Sequence, residues 1–243
     1  MKKGIILTGG LGTRLLPLTS ITNKQLLPIN KKVIIDYSIN TLIQLGCKEI
    51  TVILGGEHFS QIVSYLKDGA ERGVHFNYVY QSKPSGIAQA INLCEPYFNT
   101  EEKFAVILGD NLFFTPITLN THSNAQIMLY NTREIKRFGC AYLQNNKIVE
   151  IEEKPKVLRQ DCEHKAITGC YIFTKQFFTY FKDIKPSTRG EYEITDILTK
   201  YLDDGKLNYT NVQGAWLDCG TFETIDAARE IVRNEELKEI MQA

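Results

Sequence analysis

The sequence lacks three features that would point to a metal cluster, a membrane or a nucleic acid. Its six cysteines form no C-x-x-C pair, so neither a zinc ribbon nor a thioredoxin-like motif is indicated, and we expect reduced thiols. The apolar run after Met1-Lys2-Lys3 ends at Thr8, too short for a signal peptide, and no stretch approaches membrane-spanning length. Lys plus Arg and Asp plus Glu both number 28, so the basic excess of a nucleic-acid binder is absent. We expect a soluble cytoplasmic protein that binds neither nucleic acid nor membrane.

The first thirty residues also lack the two common phosphate-binding motifs. Leu15 stands where a dinucleotide fingerprint needs its third glycine, and no Gly-Lys-Ser or Gly-Lys-Thr closes a P-loop. Instead, a short apolar run leads into Thr8-Gly9-Gly10-Leu11-Gly12-Thr13-Arg14, and Lys24 follows closely. Glycine allows close backbone approach, bare N–H groups suit phosphate oxygens, and the two cations add positive charge. The stretch indicates either a phosphate-binding loop or a plain strand-to-loop turn.

Strand-like and helix-like patterns alternate through the first half of the chain. This order predicts an α/β protein with a parallel, doubly wound sheet. Because such sheets bind ligands beyond the carboxyl ends of their strands, residues 9–14, 81–86 and 109–111 are expected at one edge. The predicted strands cover residues 4–7, 50–54, 76–80 and 104–108, and the predicted helices cover 35–45, 58–66 and 86–93.

The second half is less regular, and a turn signal at 144–147 predicts a hairpin within it. No repeat, low-complexity tract or linker divides the chain, so we expect a single domain over residues 1–243. The predicted strands cover residues 125–130, 140–143, 147–152 and 166–173, and the predicted helices cover 177–181, 192–202 and 221–239.

Two carboxylates, Asp110 and Asp218, each stand where an apolar run ends. Mg²⁺ is held by one or two carboxylates together with substrate phosphates, and aspartates at neighbouring strand ends would serve that need. Taken alone, each aspartate is better explained as a turn-capping carboxylate.

Three further polar segments have an ordinary structural explanation. Ser85 is the expected N-cap of the helix that follows the loop 81–86. Glu153 and Lys154 belong to a charged run of the kind that is usually solvated. Thr188 and Glu191 have capping-box spacing ahead of an apolar helix, and we assign them that role.

Together these motifs resemble the sugar-1-phosphate nucleotidyltransferases, most closely the glucose-1-phosphate thymidylyltransferase branch. The resemblance runs from Lys3 to about Arg229, and although each motif is weak, the ordered set is strong. It implies a single-domain α/β/α sandwich with a mostly parallel mixed sheet, the Rossmann-like nucleotide-diphospho-sugar transferase fold. Residues 1–115 would form the nucleotide-binding half, and residues 116–243 the sugar-phosphate-binding half with the C-terminal helix. The matching motifs are Gly9-Gly10-x-Gly12-Thr13-Arg14, Lys24-Gln25-Leu26-Leu27-Pro28, Leu108-Gly109-Asp110-Asn111, Arg137-Phe138-Gly139, Glu152-Glu153-Lys154-Pro155, Thr168-Gly169-x-Tyr171 and Trp216-Leu217-Asp218-Cys219-Gly220.

The resemblance also implies a reaction. A phosphate oxygen of a hexose 1-phosphate attacks the α-phosphorus of a nucleoside triphosphate, pyrophosphate leaves in line, and a nucleotide sugar forms. The favoured substrates are dTTP and glucose 1-phosphate, with Mg²⁺ on Asp110 and Asp218. Arg14, Lys24 and Asp110 are the implied catalytic residues: Arg14 stabilises the leaving phosphates and Lys24 contacts phosphate oxygens in the transition state.

The binding residues implied by the resemblance form two groups. In the nucleotide group, the Gln81 amide can read the O4 and N3–H edge of thymine or uracil. In the sugar group, Lys154 would hold the attacking phosphate. The nucleotide group is Gly9, Gly10, Gly12, Thr13, Gln81 and Gly86; the sugar-phosphate group is Asn111, Gly139, Glu153, Lys154, Thr168, Tyr171 and Arg189.

Several alternatives stay open. The same chemistry with UTP, CTP or another sugar phosphate is the nearest, and a non-catalytic nucleotide-sugar-binding regulator is more distant. A nicotinamide-dependent oxidoreductase is disfavoured by the missing third glycine. The family implies a homo-oligomer, dimer or tetramer, although this sequence does not contain the helical tail that helps to build subunit contacts in longer members.

Overall fold

Apolar, β-branched runs form the central strands of the structure, a computed structural model that describes residues 1–98, 103–120 and 123–242. The strands are β1 (Lys3–Leu7), β2 (Pro28–Ile29), β3 (Lys32–Val33), β4 (Glu49–Leu54), β5 (His75–Tyr80), β6 (Phe104–Leu108), β7 (Asn111–Phe113), β8 (Ala125–Tyr130), β9 (Gly139–Gln144), β10 (Lys147–Glu153), β11 (Glu163–Phe173), β12 (Leu207–Asn211) and β13 (Trp216–Asp218). The α-helices are α1 (Ile34–Gln44), α2 (Phe59–Leu66), α3 (Ile87–Asn92), α4 (Gln176–Phe181), α5 (Ile194–Asp203) and α6 (Phe222–Gln242).

The main sheet is mixed, with strand order β10-β9-β11-β6-β1-β4-β5, and β8 pairs with β11 and β12. Strands β6, β1, β4 and β5 run parallel, so their carboxyl ends meet at one edge: Leu7 pairs with both Ile53 and Leu108. The second half adds the antiparallel strands β8, β9, β10 and β11, and β12 pairs parallel with β8. Asn145 and Asn146, both with positive φ, make the tight turn between β9 and β10. The predicted α/β class and mixed sheet are confirmed.

Helices cover both faces of this sheet. Ile5 packs in a core with residues of α3, α4 and α5, whereas Ile6, its neighbour in β1, packs with residues of α1 and α2. Adjacent strand residues point to opposite faces, so a strand covered on both sides must be apolar throughout. Helix α6 packs separately, through Ile225 and Ala228, against a third cluster that includes Leu15.

Two very short strands bring the predicted carboxylates together. Strand β7 starts immediately after Asp110, and β13 ends at Asp218; the two strands are antiparallel, with Asn111 opposite Asp218. The backbone N–H of Cys219 donates to the carbonyl of Asp110 at 2.8 Å. The longer predicted strands and helices match within a few residues, but the sequence pattern did not predict β2, β3, β7, β12 or β13.

The predicted starts of two helices are wrong. Ser85 does not cap α3, because Gly86 is the N-cap and no side chain bonds to that helix end. The capping box of Thr188 and Glu191 does not form either: α5 begins at Ile194 with Glu193 as its N-cap. The backbone of the intervening segment is used elsewhere, since Tyr192 donates to Ser85 at 2.9 Å.

Two of the exclusions drawn from composition can be compared with the structure. All six cysteines are free thiols, as predicted. Among the described residues, the helices are too short or too polar to cross a lipid bilayer.

Truncation of Phe104 to alanine should strongly destabilise the protein. The ring is 1% exposed and packs on Phe98 at a centroid distance of 4.7 Å and on Phe178 at 5.7 Å. Removing a ring from such a site leaves a cavity and lowers the free energy of unfolding by about 3–5 kcal/mol. Urea denaturation monitored by circular dichroism measures the change. Phe59→Ala is the matched control, since Phe59 is 36% exposed, and equal losses in the two variants would contradict the packing described here.

Candidate active site

The glycine-rich loop after β1 turns sharply before it presents Arg14. Gly12 has φ +65°, and a Cβ there would lie 2.7 Å from Cγ2 of Thr19, so only glycine fits. A 3₁₀ turn over Thr13–Leu15 follows, anchored by the fully buried Leu15. Arg14 then extends toward the chain beyond β13: a Cβ on Gly220 would lie 2.5 Å from its Nη2.

A second 3₁₀ turn, Lys24–Leu26, positions Lys24. Asn23 caps this turn, its Oδ1 accepting from the backbone N–H of Gln25 at 3.0 Å. The Lys24 ammonium forms an ion pair with Asp110, and both side chains are 11% exposed. It also faces the glycine loop, because a Cβ on Gly10 would be 3.2 Å from Nζ. Lys24 therefore joins the loop to the carboxylates.

Asn111 fixes the orientation of Asp110. Its Oδ1 accepts hydrogen bonds from the backbone N–H of Gly169 at 2.9 Å and from Nε1 of Trp216 at 2.8 Å. Its Nδ2 donates to Oδ1 of Asp110 at 3.2 Å. A side chain that bonds three partners while buried has one available orientation, so Asp110 is held by both Asn111 and Lys24.

The pKa values of the two aspartates shift in opposite directions. Burial alone would lower the pKa of Lys24 and raise that of Asp110, but the charge of each partner and their hydrogen bond outweigh burial, raising the pKa of Lys24 and lowering that of Asp110. Burial, and then the negative charge of Asp110, raise the pKa of Asp218 to about 6. The positive charges of Lys24, Arg14 and Arg137 oppose this rise in the pKa of Asp218.

This donor set fits Mg²⁺. No group of three or more His, Cys, Asp or Glu side chains suited to a metal ion occurs among the residues that the structure describes. Mg²⁺ does not need such a group, because it accepts one or two carboxylates and completes its shell with water and substrate phosphates. Asp110 and Asp218 are the residues that would hold it.

Two cavities meet at Asp110. They share Ile87, Leu108 and Asp110 in their walls. The smaller cavity, about 230 Å³, is lined by the predicted nucleotide residues Gly9, Gly10, Gln81 and Gly86, by the predicted catalytic residue Lys24 and also by Gln25. The larger cavity, about 440 Å³, is lined by the predicted residues Arg14, Asp110, Asn111, Gly139, Glu153, Lys154, Thr168, Tyr171 and Asp218.

Three predicted residues do not line either cavity. Gly12 shapes the loop, as described above, and Thr13 is exposed. Arg189 is exposed and contacts the wall of the larger cavity through Glu153: its Nη2 donates to Glu193 at 2.8 Å and to Glu153 at 3.2 Å. The geometry of Arg189 is therefore that of a residue that orients Glu153.

Comparison with known proteins identifies the family of the chain. A family model described as nucleotidyl transferase matches residues 3–235. The chain belongs to the nucleotidyl transferase family. It is 36% identical to a glucose-1-phosphate thymidylyltransferase of Neisseria meningitidis over 243 residues, covering 95% of this chain and 82% of that protein.

Solved structures of the family share the fold. A candidate glucose-1-phosphate thymidylyltransferase of Bacillus anthracis, crystallised with sucrose, is 42% identical with a TM-score of 0.88, covering 96% of each chain. A UDP-glucose pyrophosphorylase in complex with UDP-glucose is 25% identical with a TM-score of 0.80, covering 97% of this chain and 99% of that one.

In this family member, the loop 81–86 is clamped by the segment before α5, since Tyr192 donates to Ser85 at 2.9 Å. Gln81 is buried, and its Nε2 donates to Oε1 of Gln89 at 2.7 Å. This leaves Oε1 of Gln81 beside Gly9, where a Cβ would lie 3.2 Å away. Gly86 has φ +99°, and a Cβ there would lie 2.5 Å from the carbonyl oxygen of Tyr192. Glycine is therefore required at position 86 on both conformational and steric grounds.

Sequence reasoning missed several polar groups of the nucleotidyl transferase site. Within the described residues, Oε1 of Gln25, Nη2 of Arg137 and Oγ1 of Thr168 are buried without a hydrogen-bond partner. Such groups are uncommon in native proteins and indicate places for a ligand or water. Of these three residues, the sequence analysis assigned only Thr168 to the site. Gln25 and Arg137 lie inside motifs that resemble the family, and this was the sequence signal that could have identified them.

Gly86→Ala should damage the site more than Gly190→Ala. Both glycines have positive φ, but a Cβ at Gly190 meets nothing within 4 Å, whereas at Gly86 it meets the Tyr192 backbone. The strain at Gly190 is then only that of the backbone, about 1 kcal/mol, while Gly86→Ala must also displace the loop. Thermal denaturation and equilibrium binding of a nucleoside triphosphate measure the two effects. Equal nucleotide affinities in both variants would contradict the clamp.

Proposed function

We propose that the protein joins a nucleoside triphosphate to a hexose 1-phosphate, with dTTP and glucose 1-phosphate as preferred substrates and dTDP-glucose and pyrophosphate as products. The observation that carries the proposal is the meeting of two cavities at Asp110, one lined by the glycine loop and Lys24, the other by Lys154 and Thr168. A reaction between two phosphorylated substrates needs two such pockets with cations and carboxylates at their junction. The names of the N. meningitidis and B. anthracis relatives support the choice of base and sugar.

The chemical step would be a single in-line displacement. An oxygen of the sugar phosphate forms a bond to the α-phosphorus, and the bond from that phosphorus to the pyrophosphate oxygen breaks. Phosphoryl and nucleotidyl transfer need mainly positioning and charge stabilisation, so no nucleophilic side chain is required. Lys154 would hold the attacking phosphate, Lys24 would contact phosphate oxygens in the transition state, and Arg14 would stabilise the pyrophosphate.

Asp110 and Asp218 would bind Mg²⁺, which supplies charge neutralisation and orientation of the phosphates when it is present. The raised pKa of Asp218, caused by burial and by the charge of Asp110, supports this role, since a cation between two carboxylates relieves their repulsion. Asn111 and Lys24 would keep Asp110 oriented.

The orientation of Gln81 favours a base with an N3–H donor. Its Nε2 is engaged by Gln89, so Oε1 is the group available to accept from the base. Thymine and uracil carry a hydrogen on N3, whereas N3 of cytosine is an acceptor. UTP is therefore the second candidate, which the likeness to UDP-glucose pyrophosphorylase also favours, and CTP is disfavoured.

The sugar would lie in the larger cavity, contacting Asn111, Gly139, Thr168 and Tyr171. Thr168 is buried with an unpaired hydroxyl, which is suited to a sugar hydroxyl. Glu153 would accept from other hydroxyls; Thr195 donates to its Oε2 at 3.3 Å and Arg189 to its Oε1. In this proposal Arg189 positions Glu153, and residues 1–115 and 116–243 supply most of the nucleotide and sugar pockets respectively.

A substrate matrix should show pyrophosphate release fastest with dTTP and glucose 1-phosphate, slower with UTP and least with CTP, because of the Gln81 orientation. EDTA should abolish release, and excess Mg²⁺ should restore it. A coupled pyrophosphate assay with product analysis measures both. Binding of nucleotide sugar with no release from any pair would support a regulator instead, and CTP as the best substrate would contradict the assignment of Gln81.

Asp110→Asn and Lys24→Gln should each lower kcat/KM by at least about a hundredfold, the scale of removing one group that stabilises developing charge. Asp36→Asn is the matched control, because Asp36 also forms an ion pair, with Arg72 at 3.1 Å, but lines neither cavity. The control should lose stability while keeping turnover. Full Mg²⁺-dependent turnover by Asp110→Asn would rule out the metal assignment.

A further inference from the structure

Arg137 is a half-buried cation of the site without an assigned task. It ends a 3₁₀ turn, Ile135–Arg137, that is anchored by the buried Ile135 and leads directly into β9. The guanidinium lies over the ring of Phe138, 5.5 Å from its centroid, and Nη1 bonds to Glu134. Its other terminal nitrogen, Nη2, is buried and has no hydrogen-bond partner among the residues that the structure describes.

The nearest carboxylate does not satisfy this nitrogen. Oδ2 of Asp218 lies 3.9 Å from Nη2, which is beyond hydrogen-bond distance. A buried cationic N–H without an acceptor is unfavourable, so a native site that keeps one usually reserves it for a ligand. The side chain lines the 440 Å³ cavity together with Asp218 and Lys154, where phosphate would supply the missing acceptor.

The position of Arg137, two residues before β9, indicates which phosphate it would bind. Gly139 and Glu153 are partners in the β9–β10 register, and the backbone N–H of Lys154 donates to the carbonyl of Phe138 at 3.2 Å. Arg137 and Lys154 therefore flank the same wall, Phe138–Gly139, of the larger cavity. Gly9, Gly10 and Lys24, by contrast, line the smaller cavity, whereas Arg14 at the end of the glycine loop lines the larger one.

We propose that Arg137 donates a hydrogen bond from Nη2 to the phosphate of the sugar 1-phosphate, as a second cation opposite Lys154. This inference rests on the proposed function, because it takes the larger cavity as the sugar-phosphate pocket. A planar guanidinium held at Nη1 by Glu134 and over Phe138 is already oriented, so little side-chain freedom is lost on binding.

Arg137 has a purely structural alternative, in which it only holds Asp218 in place. The two roles predict different results. A phosphate contact acts mainly on the affinity for the sugar 1-phosphate, whereas a support for Asp218 acts on Mg²⁺ and on both substrates. Removing a positive charge beside Asp218 does not weaken Mg²⁺ electrostatically, so a direct phosphate contact predicts an unchanged or lower Mg²⁺ requirement.

The test compares Arg137→Gln and Arg137→Lys with Arg133→Gln. Arg133 is exposed and lines only an adjoining outer cavity of about 340 Å³, so it controls for general loss of charge. Loss of one charge-assisted hydrogen bond should raise KM for glucose 1-phosphate by about tenfold to a hundredfold in Arg137→Gln. KM for dTTP should change less than about twofold, kcat should change little, and Arg137→Lys should recover part of the affinity.

Direct binding separates this inference from the proposed function. Calorimetric titration of each protein with glucose 1-phosphate alone should show the same loss in Arg137→Gln, with thermal denaturation confirming that the variant is folded. Unchanged affinity in a turnover-competent, folded Arg137→Gln would overturn the Arg137 contact alone, as would an equal rise in both KM values or a higher Mg²⁺ requirement. Absence of binding and turnover in the unmodified protein with every sugar 1-phosphate would overturn both proposals.

Discussion

The ion pair between Lys24 and Asp110 is the interaction around which the site is built. Both groups are almost removed from solvent, and a second carboxylate, Asp218, lies close enough for the charge of Asp110 to raise its pKa. Breaking a buried pair leaves an uncompensated charge, so the surrounding chain must hold both partners in place. The Asn23-capped turn holds Lys24, and Asn111 holds Asp110. The result is a compact group of charges that phosphates and a divalent ion can complete.

The need to hold these charged groups in place also explains the presence of two strands that are too short to be stable alone. Strands β7 and β13 have three residues each and pair antiparallel, which places Asp218 opposite the residue next to Asp110. Trp216 on β13 donates to Asn111 and packs against Phe138 at a centroid distance of 5.0 Å. One small ladder thus connects both carboxylates, the asparagine between them and the wall of the larger cavity.

Sequence patterns predicted what local chemistry determines. The central strands are continuous β-branched runs because both faces are covered, and the glycine loop was found because close backbone approach needs glycine. The starts of α3 and α5 were mispredicted because tertiary pairing decided them: the segment with a capping-box pattern pairs with Ser85 instead of capping its own helix. The unpaired nitrogen of Arg137 and the hold of Arg189 on Glu153 depend on distances between remote residues, which no local pattern contains.

The hydrogen bond between Tyr192 and Ser85 also places one segment of chain next to both cavities. The backbone N–H of Tyr192 donates to the carbonyl of Ser85 in the loop 81–86, and its carbonyl accepts from the N–H of Ala88 in α3. Glu191 lines the smaller cavity. Arg189, in the same segment, donates a hydrogen bond to Glu153 in the wall of the larger cavity. One short, continuous stretch of chain therefore contacts both the loop 81–86 and Glu153. Residues 189–192 form no capping box; they connect the loop 81–86, which contributes to the wall of the smaller cavity, with Glu153 in the wall of the larger one.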